Sequence, residues 1–171
     1  MRTLHFFSIF WLSISLSANP PVLNEASITH PEVGLKGMVV TQHYLASEVG
    51  EAILSKGGNA YDATIAVAFA LAVVLPRAGN IGGGGFTVLY NSSDESFQSL
   101  DYREKAPLAA SKNMYLDNNG DVISNLSTLG YKAIAVPGTV DGMWELHKRY
   151  GSMDWKELIL PSIKLAKEGF R

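Results

Sequence analysis

Apolar and polar positions divide this chain into one nearly unbroken apolar stretch at its start, two helix-period segments, and short aliphatic runs bounded by turn residues. The opening stretch, Leu4 to Leu16, follows the basic start Met1-Arg2-Thr3 and runs into the small residues Ser15, Ser17 and Ala18 before Asn19-Pro20-Pro21. That order is the pattern of a secretory signal, and the run is shorter than the roughly 20 apolar residues a membrane span needs. Cleavage near Ser17 or Ala18 is expected, making residues 1–18 a signal peptide and the chain secreted or periplasmic. Residues 19–36 are aperiodic and contain Pro and Asn, the pattern of a linker or tethered arm.

Gly37-Met38-Val39-Val40 reads as a short strand leading into a helix with Leu45, Val49 and Ile53 four apart and Ala46 and Ala52 beside them. Gly57-Gly58 supplies the positive φ that ends it, and Asn59 caps a second helix with Asp62 reaching back three residues. From Ala60 to Leu75 only Asp62 is charged. A helix apolar on every face is buried on every face, here within protein because it is too short for a bilayer. Pro76 ends it. Phe86 to Tyr90 and Phe97 to Tyr102 then read as antiparallel strands around an Asn91–Asp94 turn, with Ala106-Pro107 breaking the second. Asn118-Asn119-Gly120-Asp121 is a further turn, and helices are expected over Val140 to Tyr150 and Asp154 to Glu168. The order helix, helix, strand, strand, helix, helix predicts a layered α/β or α+β architecture.

Composition narrows the chemistry. With 171 residues, 47% of them apolar and 18% charged, the chain can bury a core and is not a disordered tail. A net charge of −2 gives no basic excess for nucleic acid. The absence of cysteine excludes disulfides, thiolate nucleophiles and Cys-based zinc sites. His5, His30, His43 and His147 form no pair at metal spacing, and no Gly-x-Ser-x-Gly elbow exists. His147, beside Lys148 and Arg149 near a helix end, takes a solvated role by default. The run Gly82-Gly83-Gly84-Gly85 lacks the lysine of a phosphate loop, and its helix precedes rather than follows it. Close passage of backbone against backbone or a ligand is the better reading. Arg103, in Asp101-Tyr102-Arg103-Glu104, offers a planar fork of donors for a carboxylate, although spacing alone favours an ordinary ion pair with Asp101 or Glu104.

The stretches Gly57-Gly58-Asn59-Ala60-Tyr61-Asp62-Ala63, Ala78 through Phe86, Asp101 through Pro107, Val136-Pro137-Gly138-Thr139-Val140-Asp141-Gly142, and Gly151 through Phe170 together resemble the large-subunit start of the gamma-glutamyltransferase (gamma-glutamyltranspeptidase) family. The resemblance covers residues 37–171. It implies part of a four-layer αββα amino-terminal-nucleophile hydrolase fold, in an exported precursor that cuts itself into large and small subunits. It implies a threonine at the new small-subunit terminus that attacks the γ-glutamyl amide of glutathione and related compounds. Its free amine titrates close enough to neutrality to act as base. The γ-glutamyl ester then passes to water or to an amino acid or peptide amine, with no cofactor or metal. By the same resemblance Arg103 binds the α-carboxylate of the γ-glutamyl group. No threonine here, including Thr87, Thr128 and Thr139, stands in the nucleophile's motif, so the chain is expected to be a truncated N-terminal part, inactive alone. Its apolar helix from Ala60 to Leu75 would then be left bare and prone to aggregate. Two other readings remain: a cephalosporin- or glutaryl-type acylase of the same superfamily, and a non-catalytic secreted fragment.

Overall fold

A computed structural model of the chain describes residues 33–171. The expected signal peptide, His5, His30 and the expected linker through residue 32 lie outside the described residues.

Helix α1 spans Tyr44–Ser55 and is capped by His43, whose Nδ1 accepts the Leu45 N–H at 3.3 Å. Its buried line is Ala46, Gly50 and Ile53. Ala46 and Ile53 of the predicted stripe are thus buried, while the seam between them shifts from Val49 to Gly50: Leu45 and Val49 are half-buried and Ala52 is exposed. The shift follows from size, because the seam uses the residues that let the next helix come closest. A Cβ added at Gly50 would sit 2.8 Å from a Val67 methyl. Gly57, at φ 93°, ends the helix as expected.

Helix α2 spans Ala60–Val74. Asn59 Oδ1 accepts the Tyr61 and Asp62 N–H groups, both at 2.9 Å, and Asp62 Oδ2 accepts the Asn59 N–H at 3.0 Å, the predicted reciprocal cap. Ile65, Ala66 and Ala70 have no exposed surface. The expectation of a bare helix is corrected here. Helix α1 covers α2 along with α3 (Thr139–Tyr150) and α4 (Trp155–Glu168), and only Ala60 and Thr64 are exposed. Alanines at the contact faces let three helices approach one, so the chain supplies its own cover.

Strands β1 (Phe86–Asn91) and β2 (Ser96–Asp101) form an antiparallel hairpin in the register Phe86↔Asp101 through Asn91↔Ser96. Leu89 points inward and joins Ile53, Ile65, Met143, Leu146 and Leu158 in the main core. Phe86, Val88, Tyr90 and Phe97 line the opposite, exposed face. The predicted strand at Gly37–Val40 does not form. Among the described residues no strand lies beside it to complete its hydrogen bonds, and Val39 packs on the α1–α2 seam at Gly50 instead. The Asn118–Asp121 turn is present, with Gly120 at φ 88° and the Asp117 carboxylate accepting the Asn119 and Asp121 N–H groups.

His147 also departs from expectation. It is half-buried, stacked on Trp144 at 5.5 Å and edge-on to Trp155 at 5.3 Å, with Nε2 2.8 Å from the Met153 carbonyl oxygen. The ring therefore knits α3 to α4 rather than facing water. From Gly34 onward the chain is one compact α+β unit.

Candidate functional site

Three of the sequence stretches singled out above meet around Tyr102 and Arg103. At the end of β2 the Tyr102 N–H donates to the Gly85 carbonyl at 3.1 Å, and Asp101 Oδ1 accepts the Arg103 N–H at 2.9 Å. The glycine run passes on one side. A Cβ at Gly84 would lie 2.5 Å from the Tyr102 carbonyl oxygen and 2.6 Å from the Glu104 nitrogen. The start of α3 closes the other side: the Gly83 carbonyl accepts the Gly138 and Thr139 N–H groups at 2.7 and 3.0 Å, and Lys105 and Val136 exchange hydrogen bonds at 3.1 and 2.8 Å. Glycine at position 84 therefore serves backbone-to-backbone passage, as the sequence indicated, and cradles polypeptide rather than phosphate.

This arrangement frames a cleft of about 350 Å³ whose lining includes Tyr102, Arg103, Lys105, Pro137, Asp141 and Glu145. Arg103 stands at it with 67% of its side chain exposed, and its Nε lies 3.4 Å from Glu104 Oε2. The ion pair that spacing predicted is thus with Glu104, while Asp101 takes the backbone N–H. Among the described residues the terminal guanidinium nitrogens have no partner, and an exposed pair of this kind contributes at most about 1 kcal/mol. The fork remains free to take a carboxylate in two places. On the far wall, hydrogen bonds from Lys148 and then Arg149 hold the half-buried Glu145 carboxyl below its ordinary range.

The threonines play other parts. Thr87 donates to the Tyr102 phenol oxygen at 3.3 Å, Thr139 is buried at the start of α3, and Thr128 donates to the Asn125 carbonyl.

A second polar cluster lies inside the fold, and sequence reasoning saw only half of it. Asp62 is fully buried. Besides the Asn59 N–H it accepts the Ser152 N–H at 3.0 Å, the Ser152 hydroxyl at 2.5 Å and the Met153 N–H at 3.4 Å. Asn59 Nδ2 donates to the Tyr150 carbonyl at 2.7 Å. The start of α2 is therefore tied to the α3–α4 connection. Burial by itself would raise the Asp62 pKa, but the Ser152 hydroxyl and the backbone donors outweigh it and hold the carboxyl below its ordinary value. The one signal available was a single charge in an otherwise apolar helix.

The glycine run offers a direct test. Gly84→Ala places a methyl against backbone that cannot rotate away, and should cost about 1–3 kcal/mol of stability. Gly82→Ala meets nothing within 4 Å and should stay within about 0.5 kcal/mol of the parent. Urea midpoints of the two variants, measured side by side, check the contrast; equal losses would refute the cradle.

Comparison with known proteins places this geometry. The family model described as Gamma-glutamyltranspeptidase matches residues 46–171. The "Glutathione hydrolase proenzyme" of Pseudomonas aeruginosa is 55% identical over 135 residues, covering 79% of this chain and 24% of that protein. The protein of the same name from Pseudomonas sp. (strain A14) is 50% identical over 165 residues, covering 96% and 28%. The crystal structure of Helicobacter pylori gamma-glutamyltranspeptidase superposes with a TM-score of 0.77 at 50% identity, covering 82% of this chain and 40% of that one. The chain thus spans about a quarter of the length of the curated relatives it matches, and its α+β layers are those of part of an amino-terminal-nucleophile hydrolase.

Proposed function

Because this chain belongs to the gamma-glutamyltranspeptidase family, we propose that it forms the amino-terminal part of the large subunit of an exported enzyme that moves the γ-glutamyl group of glutathione to water or to an amino acid or peptide amine. In this reading the acyl group is carried on a threonine supplied by polypeptide beyond the stretch described here, and Arg103 holds the α-carboxylate of the γ-glutamyl group. The observation that carries it is the guanidinium fork at the cleft mouth, on a backbone held by Asp101 and, among the described residues, paired through Nε alone. Binding through both terminal nitrogens would hold the γ-carbonyl at a set distance from the nucleophile, so orientation as well as affinity depends on it. The exposed face of the hairpin supports the same assembly. Phe86, Val88, Tyr90 and Phe97 present an apolar sheet surface of the kind a second sheet covers, and the small subunit is the partner proposed for it.

Three anilides test the reading on the full-length protein: γ-glutamyl, γ-aminobutyryl (which lacks the α-carboxylate) and glutaryl (which lacks the α-amine). Two charge-assisted hydrogen bonds give an expected preference in kcat/KM of about a hundredfold for γ-glutamyl over γ-aminobutyryl. Equal rates on those two would remove the role of Arg103. Faster turnover of the glutaryl compound would favour an acylase.

A further inference from the structure

We infer that Tyr102 is the positioning residue for the Arg103 guanidinium, its ring acting as a wedge between the hairpin and α3 that sets where the fork stands in the cleft. The inference rests on the reading of Arg103 given above. Four glycines from two separate stretches surround this one residue. On the α3 side, a Cβ at Gly142 would lie 2.5 Å from Tyr102 Cβ and 2.7 Å from its Cδ1. On the hairpin side, a Cβ at Gly85 would lie 3.1 Å from the ring and 3.2 Å from the phenol oxygen, which also accepts a hydrogen bond from Thr87. Gly84 and Gly138 leave room for the Tyr102 carbonyl oxygen.

Gly142 is the telling member of the set. It lies within α3, where glycine weakens a helix relative to alanine, and what occupies the space of its missing side chain is the Tyr102 ring. The helix therefore gives up local stability to admit the wedge. Arg103 gains no such clamp of its own: its side chain is mostly exposed, and its one charged contact among the described residues is with the adjacent Glu104. The place from which the fork projects is thus set by the backbone on which Tyr102 is pinned. A shift of that anchor by an ångström is enough to spoil a two-pronged contact.

The readout is the ratio of kcat/KM on γ-glutamyl anilide to that on γ-aminobutyryl anilide, measured on the full-length, self-processed protein. A merely structural residue changes the amount of active enzyme and lowers both rates together, leaving the ratio alone. Tyr102→Leu is expected to cut the ratio about tenfold, and to cut it no further when Arg103 is already alanine. If Tyr102→Leu does not yield processed protein, Gly142→Ala decides, since it leaves Tyr102 in place and displaces its ring from the α3 side, with the same tenfold loss expected. A ratio within twofold of the parent in the decisive variant would overturn the positioning role, provided Arg103→Ala collapses it. A ratio unmoved by Arg103→Ala would instead overturn the reading of Arg103 and this inference with it.

Discussion

Arg103→Ala is expected to lower kcat/KM on a γ-glutamyl anilide by about a hundredfold or more in the full-length protein, while self-cleavage into two subunits proceeds as before. The size comes from losing two hydrogen bonds to a charged group, each contributing at least about 1.5 kcal/mol, with a tenfold rate change per 1.36 kcal/mol. Stability should barely respond, because the side chain is two-thirds exposed and its one ion pair among the described residues is the weak one to Glu104. Arg103→Lys should recover part of the loss. An ammonium restores the charge but offers a point rather than a planar fork, so binding returns further than orientation does. Steady-state kinetics alongside gel analysis of processing separate the two effects. A variant within threefold of the parent would show that the α-carboxylate is held elsewhere.

How much of this was legible beforehand depends on the range of the interactions. Local signals read correctly. The Asn59–Asp62 cap, the Gly57 stop and the hairpin reversal, expected at Asn91–Asp94 and found one residue on at Ser92–Glu95, each rest on contacts within a few residues, where side-chain chemistry decides the backbone. Signals that depend on a distant neighbour did not. The α1 seam runs through Gly50 rather than Val49 because Val67 packs where no side chain intervenes, and Gly37–Val40 stayed irregular because a strand needs a partner the sequence does not announce. His147 looked solvated beside two cations, yet two tryptophans, one of them on the next helix, enclose it. The site divided the same way. Arg103 could be singled out from its chemistry, and the glycine run from its crowding logic, but their meeting at Tyr102 is a fact of tertiary structure. Glycines 85 and 142 are 57 positions apart and make room for the same side chain.

Asp62 shows the same division and gives the largest stability effect expected of any substitution here. Asp62→Ala removes the acceptor for donors from Asn59, Ser152 and Met153 in a site closed to solvent. Leaving those donors buried and unpaired, and uncapping α2, should cost about 3 kcal/mol or more, read as a lower urea midpoint at unchanged slope. Asp62→Asn should not rescue it, because the amide brings two more hydrogens to a site already crowded with donors. Ser152→Ala removes only the hydroxyl partner and should cost about 1 kcal/mol. The pH dependence has a fixed sign. The folded-state pKa of Asp62 is depressed below its ordinary value of 3.8, so the unfolded chain takes up this proton first. Its stabilisation is therefore complete above about pH 5, and is lost progressively as pH falls through about 4 and on through the depressed folded value. The stability difference between parent and Asp62→Ala should accordingly be flat from neutrality to about pH 5 and shrink below it. A difference that stays constant down to about pH 3 would mean that the fold needs the shape of this side chain and not its charge.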